Sequence, residues 1–277
     1  MSTDLRPLST TELVDKTFTL YRSNFLIFVG IAAVAYLIPL ILKYFVNPIG
    51  PADLMDFDSR TALVLLISEI GDIVASAIAL GATAYAVSAI YFGGVTRISE
   101  SLRKASAKIG RIIAIRFAVR FLTMIGLFVL VLPGLFWLAS YSLAIPAAAL
   151  ENLPVNKALT RSNELANGSR RRILDVYVMV YLLRFVVQWI FRLIERLISS
   201  LSHAPNLNAY FPFEPLLEFG VDTLVFPLLF ISLVLVYYDQ RVRKEAFDPQ
   251  LLMEGLDGVS ATGAAQQTAL GAGGTKL

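Results

Sequence analysis

Six apolar runs of about twenty residues, parted by polar stretches, dominate this sequence. A run that long matches the thickness of a bilayer's hydrocarbon core when it is helical. Backbone polar groups find no water there, so a lone apolar segment must satisfy them internally, as an α-helix does. Charged residues make up 16% of the chain against roughly a quarter in soluble domains, and mean hydropathy is +0.67. The expected fold class is all-α: a polytopic integral membrane helical bundle of six spans arranged as three hairpins, each preceded by a cytoplasmic amphipathic helix.

The spans are placed at about 25–46, at a segment ending near Gly93-Gly94 with its uninterrupted part at 73–92, and at about 112–132, 135–150, 173–193 and 216–238. Leu132-Pro133-Gly134 reads as the turn between the third and fourth, because proline lacks an N–H and glycine tolerates positive φ. Pro39 is the expected kink of the first span. Residues 1–24 form an amphipathic N-terminal helix region, in which Leu13, Thr17, Leu20 and Tyr21 share helical spacing and "STTE" at 9–12 is a capping signal. Residues 25–245 form the membrane domain. Residues 246–277, rich in Gly, Ala, Ser, Thr and Gln beyond Asp257, read as a largely disordered tail. Polar stretches of roughly 15 residues precede each hairpin, a weak threefold repeat.

Basic residues orient the bundle. Arg6, Lys16 and Arg22 precede span 1. Arg97 to Arg111 holds five cations between spans 2 and 3, and Lys157 to Arg172 holds five between spans 4 and 5. Arg241, Arg243 and Lys244 follow span 6. The opposite loops hold only Lys43 and Arg60. Positive charge stays on the cytoplasmic side, so both termini are expected there. Keeping both basic loops on one side requires two crossings, or one re-entrant hairpin, between 111 and 172.

Some charges lie inside the spans. "RIIAIRFAVRFLTMIGLFVLVLPGLF" places Arg116 roughly 7 Å and Arg120 roughly 13 Å above Arg111. Arg116 can snorkel to the headgroups; Arg120 needs water or a partner, since a central arginine costs about 2.5–3.5 kcal/mol to insert. In span 5, Tyr177, Tyr181, Arg184, Gln188, Arg192 and Glu195 recur at steps of three and four and share one face. Asp222 of span 6 is the expected acid for Arg184. Glu218 lies one turn above it, level with Arg192 and Arg196, and Glu69 and Asp72 close the outer end of span 2 at similar height. Two readings stand for the stripe: glue between helices, or the lining of a hydrated cavity for a polar or anionic ligand.

The chemistry excluded is broad. The chain has no cysteine and a single histidine, His203 in a loop, which leaves no thiolate nucleophile and no cysteine- or histidine-based metal cluster. No cofactor, metal site, nucleic-acid partner or catalytic residue is expected.

"LRPLSTTELVDKTFTLYRSNF", "ALTRSNELANGSRRR" and "YYDQRVRKEAFD", taken in order, resemble the glycerophosphoryl diester phosphodiesterase membrane-domain family over about residues 5–250. The resemblance implies a six-helix membrane module. About thirty residues follow span 6, too few for the catalytic barrel that some members carry, so phosphodiesterase activity is not implied. The expected function is a non-enzymatic accessory or scaffold module of the bacterial envelope that contacts phospholipid or glycerophosphodiester headgroups. Its expected partners are membrane phospholipids and a partner protein or second copy. The alternative is a transporter or channel-like protein with a polar path along span 5.

Overall fold

The computed structural model describes residues 8–45, 58–202 and 213–245. The regular elements among them are all helices: α1 (Thr10–Ser23), α2 (Phe25–Phe45), α3 (Ser59–Tyr91), α4 (Ile98–Ser106), α5 (Ile109–Val129), α6 (Val131–Tyr141), α7 (Ala144–Leu150), α8 (Val155–Ala166), α9 (Arg170–Ser202) and α10 (Phe213–Glu245). Six helical segments are long and apolar enough to cross a membrane: α2, α3, α5, α6 continued by α7, α9 and α10. The expected all-α bundle is therefore present. The short polar helices α1, α4 and α8 each precede one pair of long segments. His203 and the 246–277 tail lie outside the described residues.

Helix α1 starts where its capping signal predicts. The Glu12 N–H donates to the Ser9 hydroxyl at 3.2 Å, and the Ser9 N–H donates to the Glu12 carboxylate at 2.8 Å. Leu13, Thr17 and Leu20 form its buried face. That face lies on α10: Thr17 Oγ1 is 3.1 Å from Ser232 Oγ, and the Tyr21 hydroxyl donates to the Leu224 carbonyl at 2.8 Å.

Helix α10 is the most buried span, with nearly every residue from Val225 to Gln240 inside. It packs on α1, α2, α3 and α9. Helix α3 is its small-residue counterpart: Ala75, Ala77, Ala79, Ala82, Ala84 and Ala86 are all buried. Small side chains let backbones approach closely where lipid supplies no hydrophobic drive for helices to associate. Helix α2 continues through Pro39.

The second hairpin corrects the expected turn. The chain reverses at Leu130, whose backbone is extended (φ −162°, ψ 149°), and Pro133 and Gly134 lie inside α6. Proline is tolerated in the first turn of a helix, where N–H groups have no intrahelical acceptor. Gly134 serves close packing instead of chain reversal: a Cβ on Gly126 would sit 2.6 Å from the Gly134 Cα. The segment after this turn bends at Ser142–Leu143 into α7, whose residues Ala144–Ala149 are buried. Tyr85 Oη and Lys108 Nζ both donate to the Ala149 carbonyl, at 2.9 and 3.1 Å, and so satisfy the end of α7.

Two ionic hubs tie the end of the bundle that carries the polar helices. The Asp239 side chain is fully buried and accepts from the Leu8 N–H (2.7 Å), Arg172 (2.6 Å) and Arg243 (2.9 Å). Glu151 accepts from the Tyr237 hydroxyl at 2.6 Å and from Arg161, which also pairs with Glu245. Several basic residues from the polar stretches are thus clamps between helices.

Candidate functional site

A cavity of about 220 Å³ lies within the bundle, walled by residues of α2, α3, α5, α9 and α10. One water needs only about 10–15 Å³ of such space. Two facing stripes form it. On α3, Glu69, Asp72 and Ser76 recur at steps of three and four and share a face; on α5, Arg116 and Arg120 stand one turn apart. The helices run antiparallel. Arg120 therefore meets Glu69, with Nε 2.5 Å from Oε1 and Nη2 3.1 Å from Oε2, and Arg116 Nε meets Ser76 Oγ at 2.9 Å.

The opposite wall holds the second pair. Arg184 donates from Nε to Asp222 Oδ1 at 2.6 Å and from Nη2 to Oδ2 at 3.3 Å. Its Nη1 donates to Gln188 Oε1 at 3.1 Å, and its guanidinium lies 5.6 Å from the Phe226 ring centre. Aromatic rings complete this wall: Tyr36 and Phe230 stack on Phe226, and Tyr181 meets Phe226 edge-on. Tyr177, buried, stacks under Tyr181 at 6.2 Å.

Not every charge is paired. Asp72 makes no hydrogen bond or ion pair with a described residue, and Arg116 has no acidic partner among them. Beside Asp72, Lys43 and Glu218 pair at 2.5 Å, and a separate small pocket of about 10 Å³ lies against them, sharing Tyr36, Asp72 and Asp222 with the cavity wall.

The structure therefore gathers seven of the expected residues, Arg116, Arg120, Tyr181, Arg184, Asp222, Glu69 and Asp72, around one cavity, with Gln188 and Tyr177 supporting them. Two of the expected residues do not line this cavity. Glu218 pairs with Lys43, because α2 packs on α10 and brings Lys43 to that face. Arg192 leaves the stripe: its side chain is 53% exposed and pairs with the 56% exposed Glu214. Glu195 lies outside the residues whose side chains are described. Sequence reasoning missed Lys43, which counted only as a loop charge, and the roles of Tyr36 and Ser76. One cation at the outer end of span 1, facing an acid-bearing span, was the available signal for Lys43.

The mouth of the cavity follows from helix adjacency. Going round the wall, α5 packs on α3, α3 on α10, and α10 on α9, while α9 and α5 have at most slight contact. Arg120 and Tyr181, on the two sides of that gap, are 43% and 44% exposed. Helix α6 packs against both and closes part of the gap, where Arg170 donates to Ser140 Oγ at 2.9 Å.

Among the described residues no three Asp, Glu, His or Cys side chains gather as a metal site. Comparison with family models, with curated proteins and with solved structures finds no match to this chain.

Proposed function

We propose that this chain is a non-enzymatic membrane protein of the bacterial envelope that receives a polar headgroup in its intramembrane cavity. One observation carries this reading: a void many times the size of a water is lined by three arginines and three carboxylates. Charges that serve only as glue would be pressed together, since an intramembrane charge without water or a partner costs kilocalories. A void beside them must be filled by something polar. Phospholipid and glycerophosphodiester headgroups are of that kind, in keeping with the family resemblance of the three polar segments.

Native mass spectrometry of the detergent-extracted protein tests this. Lipid should co-purify, and Arg120→Ala or Arg184→Ala should release it. Retention in both variants would count against headgroup binding. The basic loops support cytoplasmic termini. The chain has no cysteine, so topology is readable without background. Ser106→Cys should label only from the cytoplasmic side, and Arg60→Cys only from the other.

A second reading, a solute path, is favoured by the small pocket at Lys43 and Glu218, which shares Tyr36, Asp72 and Asp222 with the cavity. Flux of a small zwitterion or anion across proteoliposomes, lost in Asp222→Asn, would support it.

A further inference from the structure

We infer that the ligand of the cavity is a zwitterionic phosphodiester bearing an ammonium group, and that it enters sideways between α5 and α9 with its apolar part left in the bilayer. This deepens the headgroup reading and rests on it.

The argument begins with the balance of charge. Of the three arginines in the cavity, Arg120 and Arg184 are each held by a carboxylate through two donor–acceptor contacts. Two internally neutral pairs attract a net-charged ligand only weakly. What remains is one cation and one anion: Arg116, whose described hydrogen-bond partners are the neutral hydroxyls of Ser76 and Tyr177, and Asp72, which makes no hydrogen bond or ion pair with a described residue and feels Lys43 only at longer range. Ser76, which receives the Arg116 guanidinium, stands one turn from Asp72 on α3, about 6 Å away along the face. The two uncommitted charges are therefore close neighbours of opposite sign, and they do not bond each other. An anionic ligand would satisfy Arg116 and be repelled by Asp72. A cation would do the reverse. A ligand whose phosphate and ammonium are joined by a short bridge satisfies both.

The mouth indicates the source. Its lips carry exposed apolar rings and chains next in sequence to the polar lining. Phe117 and Phe121, stacked and more than half exposed, follow Arg116 and Arg120 on α5. Leu182 and Phe185 flank Tyr181 and Arg184 on α9 and are likewise mostly exposed. Such lips suit acyl chains lying outside while a headgroup reaches inward.

The test uses the full chain in detergent micelles, titrated separately with short-chain phosphatidylethanolamine, short-chain phosphatidylglycerol and glycerophosphoethanolamine, with adducts counted by native mass spectrometry. Phosphatidylethanolamine should bind at least tenfold tighter than phosphatidylglycerol. Asp72→Asn should erase that preference, Asp72→Glu should retain it, and Arg116→Gln should weaken both lipids. Unfolding midpoints of each variant separate a lost fold from a lost site, and the Asn-against-Glu contrast is read only on folded protein. Equal binding of the two lipids, indifferent to Asp72, overturns the zwitterion and leaves the headgroup reading intact. Tighter binding of glycerophosphoethanolamine than of its lipid overturns the sideways entry. Absence of binding by all three overturns both the inference and the reading beneath it.

Discussion

Replacing Asp222 by Asn keeps the shape of the α9–α10 contact and removes its negative charge. In soluble proteins, breaking a buried ion pair from one side costs about 3–5 kcal/mol, chiefly through the charge left behind. Arg184 would keep Gln188 at 3.1 Å and Phe226, and its side chain is 24% exposed toward the cavity, so part of its solvation survives. Single polar contacts between membrane helices average only about 0.6 kcal/mol and reach about 1.7, whereas a central uncompensated arginine costs about 2.5–3.5. The variant should therefore lose roughly 2–3 kcal/mol. In a cycle of Asp222→Asn, Arg184→Gln and the double variant, the coupling should be about 2 kcal/mol. Reversible unfolding in mixed micelles with rising dodecyl sulfate measures it. Fluorescence of Trp189, on α9 beside Gln188, and of Trp137 on α6 reports the transition. A coupling below about 0.5 kcal/mol would mean that the cavity already solvates both charges, and the structural role given to this pair would be wrong.

The Arg192–Glu214 pair, over half exposed on both sides, should contribute under about 0.5 kcal/mol in the same assay, so Glu214→Gln should shift the midpoint little. Asp239→Asn should loosen α1, which it holds through the Leu8 N–H; hydrogen exchange at Leu13 to Leu20 should rise before that of α10 does. Gly126→Ala should cost about 1–3 kcal/mol, since the new methyl meets the Gly134 backbone and Trp137, which lie under 3 Å away; an unchanged midpoint would show that the hairpin opens freely. Burial raises the Tyr21 hydroxyl to about 12 from the usual 10.0. A group whose folded-state pKa is raised stabilises fully below its unfolded value, and that contribution disappears as pH climbs from 10 to 12. Docking of α1 should weaken over that window, and Tyr21→Phe should flatten the dependence, as followed by absorbance at 295 nm and by hydrogen exchange.

What could be read in advance was whatever local spacing dictates. The spans follow from run length, the α1 start from Ser9 and Glu12, and the Arg184–Asp222 pair from helical rise applied to two helices joined in sequence. Neighbours distant in sequence could not be read that way. Arg120 and Glu69 lie on α5 and α3, and their heights depend on how far two helices slide past each other, which Gly81 against Ile112 and the alanine face help decide. Lys43 and Glu218 escaped for the same reason, since only the packing of α2 on α10 brings them together. The turn at Leu130 escaped because Pro133-Gly134 carries the stronger local signal, while the reversal is imposed by glycine-to-glycine contact between α5 and α6. The cavity could be anticipated only as an alternative, since spacing shows which charges share a face and not whether they touch.

The hold of Asp239 on Leu8, with Thr17 against Ser232 and Tyr21 against Leu224, joins the beginning of the chain to its final crossing. A ribosome making this protein releases α1 long before its seat on α10 exists. Until then the face of Leu13, Thr17 and Leu20 has no seat, and a chain cut short before Asp239 would leave it uncovered.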